Sequence, residues 1–301
     1  MKLNVYYDTK FAPTTSDFGS YLVLANAVRQ SMGAESMGVT IIADQFREYS
    51  PREKKTPKRE MRFRLSHILS KLPFLIPEVV STDITTAPSI DIQLPAFPGG
   101  YPGHPQDLRQ IPYRHEDLHS FYGQEGINLR PFRSSEQAKF FIDNLFGDDV
   151  IAIHLRTSHF KTERNSNLDE WYKVSQELKR LKFRPIIIPD FDDCMRDRIF
   201  TKYDWEVFEP AAYEIDLRLA LGEKAINNLT VNHGATIAVN HSDCAYIQFK
   251  YATESIKATS TAQHKLNFQM DYGDSFKWAA PNQRLIWEAD DADTILKNLA
   301  L

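Results

Sequence analysis

Val150-Ile151-Ala152-Ile153-His154-Leu155-Arg156-Thr157-Ser158 decides how this chain folds. The run opens apolar and β-branched, which is the chemistry of a strand covered on both faces. It then breaks off into an imidazole, a guanidinium and two hydroxyls. In open parallel α/β sheets, ligands gather outside the carboxyl ends of the strands, and the planar guanidinium fork matches a phosphate. The same pattern returns at Arg184-Pro185-Ile186-Ile187-Ile188-Pro189-Asp190 and at Leu229-Thr230-Val231-Asn232-His233-Gly234. Three strands therefore deliver polar groups toward one crevice, the outline of a substrate or nucleotide site.

Outward from that stretch, strands alternate with helical patterns. A helix is expected from Leu168 to Leu181, a short one from Asp193 to Phe200, and another from Ala212 to Ala225. Further strands are expected at Trp205–Phe208 and Ala245–Phe249, with a closing helix over Asp291–Leu301. Toward the N-terminus, residues 3–7 read as a strand. Phe18, Tyr21, Leu22, Leu24, Ala25 and Val28 then mark a helical face that stops at Gly33. Val39–Ala43 follows as a strand, which completes a right-handed βαβ unit. Prolines at 73, 77, 88, 95, 98, 102, 105 and 112 predict surface loops between 71 and 112, with short strands near Ile90–Leu94. Ser134–Phe146 reads as a helix that ends at Gly147. Helices between parallel strands on this spacing predict an α/β protein in two halves, residues 1–147 and 148–301, with no internal repeat.

The chain has 301 residues, 42% of them hydrophobic and 25% charged, an ordinary globular composition. Its net charge of −4 gives no support for nucleic acid as a partner. The basic stretch from Arg47 to Arg64 is interleaved with Glu48, Glu53 and Glu60, so a solvated segment is expected there. Cys194 and Cys244 lack metal-ligand spacing, and reduced thiols are the expectation. Met1–Asp8 is too polar for a signal peptide, and no run reaches the ~18 apolar residues of a transmembrane segment. The expected location is cytoplasmic.

Each candidate site residue carries two readings. Arg156 either grips a phosphate with two donors or makes a structural ion pair. His154 either donates to a phosphate or sugar hydroxyl or satisfies a backbone carbonyl. Thr157 and Ser158 supply hydroxyls and backbone N–H groups. Asp190 either recognises a hydroxyl or caps a helix together with Asp192 and Asp193. Asn232-His233-Gly234-Ala235-Thr236 either brings backbone and a helix N-terminus up to an anion or is a plain strand-to-helix turn. Glu214 either accepts from a ribose or, like Asp216, complements a helix dipole.

Taken together, the strand with His154-x-Arg156, the helix near Glu214–Gly222 and the Asn232-His233-Gly234 loop resemble the donor half of GT-B glycosyltransferases. The likeness is to the fucosyltransferase-like enzymes in particular, whose first motif is a strand followed by His-x-Arg. It spans roughly residues 148–255. The resemblance implies two Rossmann-like domains facing across a cleft. The C-terminal one would hold a nucleotide-diphosphate sugar, a GDP-sugar being favoured, and the N-terminal one a glycan or other hydroxyl acceptor. It further implies that Arg156 binds the diphosphate and that neither metal nor other cofactor is required. Here Thr157-Ser158-His159 follow the motif, where those enzymes often continue with another basic or acidic residue. Asp17 is the candidate base from the N-terminal half, its alternative role being that of a helix N-terminal residue.

A rival signal is His115-Glu116-Asp117-Leu118-His119, the HExxH pattern of zinc metallopeptidases. On a helix the two histidines would share a face and Glu116 would act as base, with Glu125 or Glu136 to complete the ligands. Polar flanks and the proline-rich segment before it favour a coincidental match. A third possibility is a nucleotide- or glycan-binding protein of the same fold without turnover. No GxxxxGK[ST], GxGxxG or GxSxG motif is present to support a P-loop, dinucleotide or serine-hydrolase reading. Trp278–Trp287 looks like a closing motif without an assignable role.

Overall fold

The computed structural model describes residues 1–43, 56–86, 93–99 and 115–299, the side chains of His115 and Glu116 excepted. The chain divides into two units, Met1–Arg133 and Ser134–Leu301, each carrying its own parallel sheet.

The first unit contains β1 (Lys2–Asp8), α1 (Asp17–Ser31), β2 (Ser36–Ile42), α2 (Lys58–Arg64), β3 (Val79–Thr85), β4 (Ala96–Phe97) and α3 (His115–Leu118). Its strands run in the order β3-β2-β1-β4, all parallel. The expected βαβ unit is β1-α1-β2, and Gly33, at φ 63°, provides the left-handed residue that ends α1. Tyr7, Phe18, Tyr21 and Phe97 pack ring against ring beneath the sheet. The Tyr21 hydroxyl donates to the Tyr6 carbonyl at 2.5 Å, so an aromatic core is reached without an orphaned phenol. β3 was not expected within the proline-rich region. It is an edge strand with Val80 and Ile84 exposed, and β4, between Pro95 and Pro98, is the opposite edge, so flanking prolines interrupt no ladder. The short strands expected near Ile90–Leu94 fall largely outside the described residues, and β4 starts just after them. Of the basic stretch, α2 is described, where Arg64 pairs with Glu60.

The second unit contains α4 (Glu136–Leu145), β5 (Val150–His154), α5 (Leu168–Arg180), β6 (Arg184–Ile188), α6 (Phe191–Cys194), α7 (Pro210–Tyr213) and α8 (Ile215–Lys224). It continues through β7 (Asn227–Val231), α9 (Ile237–Asn240), β8 (Tyr246–Phe249), α10 (Thr261–Phe268), β9 (Gln283–Leu285) and α11 (Ala292–Asn298). The parallel order is β6-β5-β7-β8-β9, so the chain winds one way from β5 to β6 and the other way from β5 to β7. A topological switch point therefore lies between β5 and β7. Ile151 and Ile153 pack on Trp171, Val174, Leu178 and Ile295, while Val150 and Ala152 pack on Ala138, Ile142, Ala220 and Leu221.

Three expectations are corrected here. The helical segment before residue 147 belongs to the second unit. Ser134 and Ser135 donate their N–H groups to Glu223 and Asp216 of α8 at 3.0 and 2.9 Å, and Ala138 and Ile142 enter that unit's core. The helix expected over Ala212–Ala225 is broken at Glu214 into α7 and α8. The strand expected at Trp205–Phe208 is reduced to a single bridge between Ile187 and Val207. The Trp278–Trp287 motif carries β9, and Trp287 packs edge-on against Tyr251 and His264. Cys194 and Cys244 are buried thiols, not joined to one another. Among the described residues, no helix is long and apolar enough to cross a membrane.

Asp290 ties the closing segment to the sheet. Its buried carboxylate accepts the Asn167 N–H at 2.7 Å and the Trp171 indole N–H at 2.9 Å. Its neighbour Asp291 only caps α11, accepting from the Thr294 N–H at 2.8 Å. Asp290→Ala would orphan the buried Trp171 indole donor and free the Asn167 N–H, and is expected to cost about 2 kcal/mol, whereas Asp291→Ala should cost about 1 kcal/mol. Denaturant unfolding of both variants checks the order.

Candidate functional site

β5 ends at His154, and Leu155 keeps one more rung by donating its N–H to the Ile188 carbonyl at 3.0 Å. Arg156 lies past the strand. Its backbone pairs with Ser166, N–H to Oγ at 3.0 Å and carbonyl to Ser166 N–H at 2.9 Å, which closes residues 157–165 into a loop. The guanidinium fastens that loop from inside. Nη2 donates to the Phe160 carbonyl at 2.6 Å, and Nη1 donates to the Lys161 carbonyl at 3.1 Å and to Asn165 Oδ1. The fork read as a grip for a phosphate is thus spent on its own loop, and the residue is 5% exposed. Burial pulls its pKa below the usual value, opposed by Asp190, Asp192 and Glu163.

The loop spans the switch point. Arg164 Nη2 donates to the Asn232 carbonyl at 2.9 Å and to Asn232 Oδ1 at 3.3 Å, which ties the loop after β5 to the end of β7. Lys250 Nζ donates to the Asn165 carbonyl at 3.0 Å. Phe160 keeps its carbonyl pinned while the residue stays 68% exposed.

Asp190 is the hub beneath. Oδ2 accepts the Thr157 N–H at 3.1 Å and lies 3.5 Å from His233 Nε2, while Oδ1 accepts the Asp192 N–H at 3.2 Å and caps α6. Ser158 Oγ donates to Asp192 Oδ2 at 2.9 Å. On the α8 face, His154 is fully buried with Nε2 2.9 Å from Asn228 Oδ1. Asn228 Nδ2 donates to the Gly222 and Ala245 carbonyls, so its Oδ1 is the acceptor and His154 carries its proton on Nε2. A Cβ at Gly222 would stand 3.0 Å from that Asn228 oxygen, which is why the helix can approach this closely. Arg218 enters from α8, with Nε donating to the Ala211 carbonyl at 2.8 Å and Nη2 to the Pro189 carbonyl at 3.5 Å.

Three guanidiniums meet here. Burial, then Arg218, Arg156 and Arg164, hold His233 well below the ordinary histidine range. Burial and Arg218 push His154 down to about 3 despite its bond to Asn228. Burial lowers Arg218 to about 10, with Asp190 acting against it, so Arg218 remains a cation at neutral pH. Carboxylates, hydroxyls and three guanidiniums share one end of the sheet, groups suited to an anionic ligand that carries hydroxyls.

The other expected residues are placed as follows. Asn232 Nδ2 donates to the Tyr251 carbonyl at 2.7 Å, Gly234 is exposed and Ala235 half-buried. The helix expected behind them is one 3-10 turn and the four-residue α9, too short for a strong dipole. Glu214 sits half-buried at the start of α8. Asp17 opens α1 in the first unit, its N–H 3.4 Å from Thr15 Oγ1. In the HExxH segment, α3 ends at Leu118, so a continuous helix does not reach His119, and the side chains of His115 and Glu116 lie outside the described residues. Among the described residues no cluster of three His, Cys, Asp or Glu is able to hold a metal ion. Arg164, Arg218 and Asn228 escaped the sequence reading. Arg218 left one signal, a lone cation between Leu217 and the run Leu219-Ala220-Leu221.

No protein-family model matches the chain, and no curated protein matches it in sequence. Solved structures resemble it in chain layout. The E. coli heptosyltransferase WaaC with ADP is 11% identical, over 99% of this chain and 98% of that one, at a TM-score of 0.47. A family 9 glycosyl transferase from Veillonella parvula is 11% identical over 82% and 80%, at 0.43. The UDP-GlcNAc 2-epimerase of Methanocaldococcus jannaschii is 11% identical over 100% and 92%, at 0.36. Transferases and an epimerase stand side by side in this set, so the likeness selects no reaction.

His154, His233 and His264 are all neutral in the folded chain, His264 being lowered to about 4 chiefly by burial. Unfolded histidines titrate near 6.5. Below that pH the unfolded chain takes up protons that the folded chain refuses. Stability is therefore complete above about pH 6.5 and is lost as pH falls toward the folded values, by up to about 1.4 kcal/mol per pH unit per histidine. Urea titrations at pH 7, 6 and 5 should give a shallower pH slope for His154→Gln than for the wild type, because one such proton is removed.

Proposed function

We propose that this chain is a glycosyltransferase that takes a sugar from a nucleoside-diphosphate donor and moves it to a hydroxyl acceptor. Its donor site would be the β5/β7 switch point. The observation that carries the proposal is the convergence of Arg156, Arg164 and Arg218 on His233 and Asp190 at that point. Transfer breaks the bond between the anomeric carbon and the diphosphate oxygen as the acceptor oxygen attacks. The electron pair leaves with the phosphate, and fixed cations and N–H donors stabilise it without a metal.

In this reading Arg156 serves the diphosphate by holding its loop, so that Thr157 and Ser158 meet the phosphates. Asn232, His233, Gly234 and Ala235 line the other side. Asp190 and Glu214 are the carboxylates suited to sugar and ribose hydroxyls. His154 supports the floor through Asn228, and Asp17 from the first unit deprotonates the acceptor. Phe160 offers an exposed ring for a base. The resemblance of the His154-x-Arg156 strand to fucosyltransferase-like enzymes favours GDP as the nucleotide. The second reading, a binding protein without turnover, shares the site and differs only in chemistry.

Thermal-shift measurements with GDP, UDP, ADP and dTDP test the donor site. A ligand at a hundred times its dissociation constant adds ~2.7 kcal/mol, and one of the four should do so. No shift from any of them at millimolar concentration would remove the donor reading. Slow hydrolysis of the matching nucleotide sugar separates enzyme from binder. Asp17→Asn should leave nucleotide affinity intact while lowering turnover by about 100-fold or more, the usual range for a lost general base.

A further inference from the structure

Several polar atoms buried at the switch point make no hydrogen bond within the protein. They are Arg218 Nη1, Thr157 Oγ1, His233 Nδ1 and His154 Nδ1. Arg218 is 4% exposed and Thr157 7%, so solvent does not satisfy them. Isolated orphans of this kind are rare in folded proteins, and several at one place point to a ligand. These lie together. Thr157 N at 3.1 Å and His233 Nε2 at 3.5 Å share Asp190 Oδ2, and Arg218 Nη2 is 3.5 Å from the carbonyl of the residue just before Asp190. His154, one strand over, feels the charges of both Arg218 and His233.

The chemistry of the group is that of an oxyanion receptor. A guanidinium only donates, a hydroxyl can donate, and the Arg218 arm is cationic, buried and unspent. The contrast with Arg156 is informative, because that guanidinium has already given its donors to Phe160, Lys161 and Asn165. Gly234, next to His233, is exposed and leaves an approach from that side.

We propose that Arg218 Nη1, Thr157 Oγ1 and His233 Nδ1 together receive one phosphate of the diphosphate, and that His233 takes up a proton from solvent as it binds. The proposal rests on the donor-site reading above and names the residues that would do the work in it. The proton follows from the ring's orientation. Nε2 faces Asp190, so in the neutral ring Nδ1 presents a lone pair, which a phosphate oxygen would repel. A second proton turns Nδ1 into a donor. The groups facing His233 are Asp190 from the end of β6, Arg218 from α8, Arg156 and Arg164 from the loop after β5, and His154 from β5. Without ligand the guanidiniums and burial keep the ring neutral. A bound phosphate offsets those guanidiniums and leaves Asp190 as the nearest partner.

Titration calorimetry tests this with two probes, inorganic pyrophosphate and the nucleoside diphosphate that gives the largest thermal shift. Runs at pH 7.5 in buffers of different ionisation heat read the protons taken up. The wild type should take up a net proton, up to one per site, and His233→Asn should take up none. Thr157→Val removes an unbonded hydroxyl at constant shape, so its melting temperature should hold or rise while affinity for both probes falls about tenfold. A merely structural threonine would not show that split. Arg218→Lys keeps the charge, loses the fork and should also weaken binding at least tenfold. Should that variant fail to fold, the other two decide. Nucleotide binding that Thr157→Val leaves unchanged, or binding without proton uptake, overturns the receptor and leaves the donor reading standing. Pyrophosphate binding that depends on Thr157 and His233, with no nucleotide bound, supports the receptor and overturns the donor reading. Failure of both probes to bind overturns the receptor outright.

Discussion

Asp190 stands at the end of β6 as a buried carboxylate toward which three different elements turn. The loop after β5 donates the Thr157 N–H to it, α6 begins on it, and the His233 ring from the end of β7 faces it. Arg156 and Arg218 both feel its charge. Cations taken out of water need compensating anions nearby, and beside Arg156 Asp190 is joined in that role by Asp192 and Glu163. At His233 it is the guanidiniums of Arg218, Arg156 and Arg164 that are felt, and there the sheet end suits an anion. Burial first, and then those guanidiniums, keep the neighbouring histidines neutral.

Arg156 and Arg218 show how one side-chain type takes two roles around the same carboxylate, Asp190. Arg156 leaves the chain beyond the last rung of β5, where carbonyls of an irregular loop lack strand partners. Its donors satisfy those carbonyls, and the loop becomes a fixed bridge from β5 to β7. Arg218 arrives from a regular helix whose own carbonyls are already paired. It finds only Ala211 and Pro189 to bond, and one arm of its fork is left over. Local backbone, not charge, separates the fastener from the receptor.

The floor beneath them rests on Asn228. One amide joins β7 to His154 on β5, to the Gly222 carbonyl at the end of α8 and to the Ala245 carbonyl before β8. On the Asn228 side every donor and acceptor of the amide is engaged, which stiffens the core there. Here the network fixes the His154 tautomer and leaves Nδ1 without a hydrogen bond. Asn228 also sits in an Asn-Leu-Thr sequon, yet both Asn228 and Thr230 are buried within the sheet, so the match is one of letters only.

The sequence by itself determined β5 to β8 and most helices of the second unit, the βαβ start of the first, and the delivery of three polar strand ends to one side of the sheet. Those features rest on local periodicity and on the rule that parallel α/β strands present their carboxyl ends together, and both can be read in a short window. Only the tertiary structure decided that β3, β4 and β9 are strands. Each is short or lies at a sheet edge, so its residues carry little apolar pattern and its pairing comes from a partner distant in the chain. The tertiary structure also assigned α4 to the second unit, through Ser134 and Ser135 bonded to α8, and ended α3 before His119. It turned the Arg156 fork inward and brought Arg218 under the strand ends. Where a guanidinium sends its donors depends on which carbonyls lie unpaired around it, and those carbonyls come from segments that adjoin it only once the chain has folded.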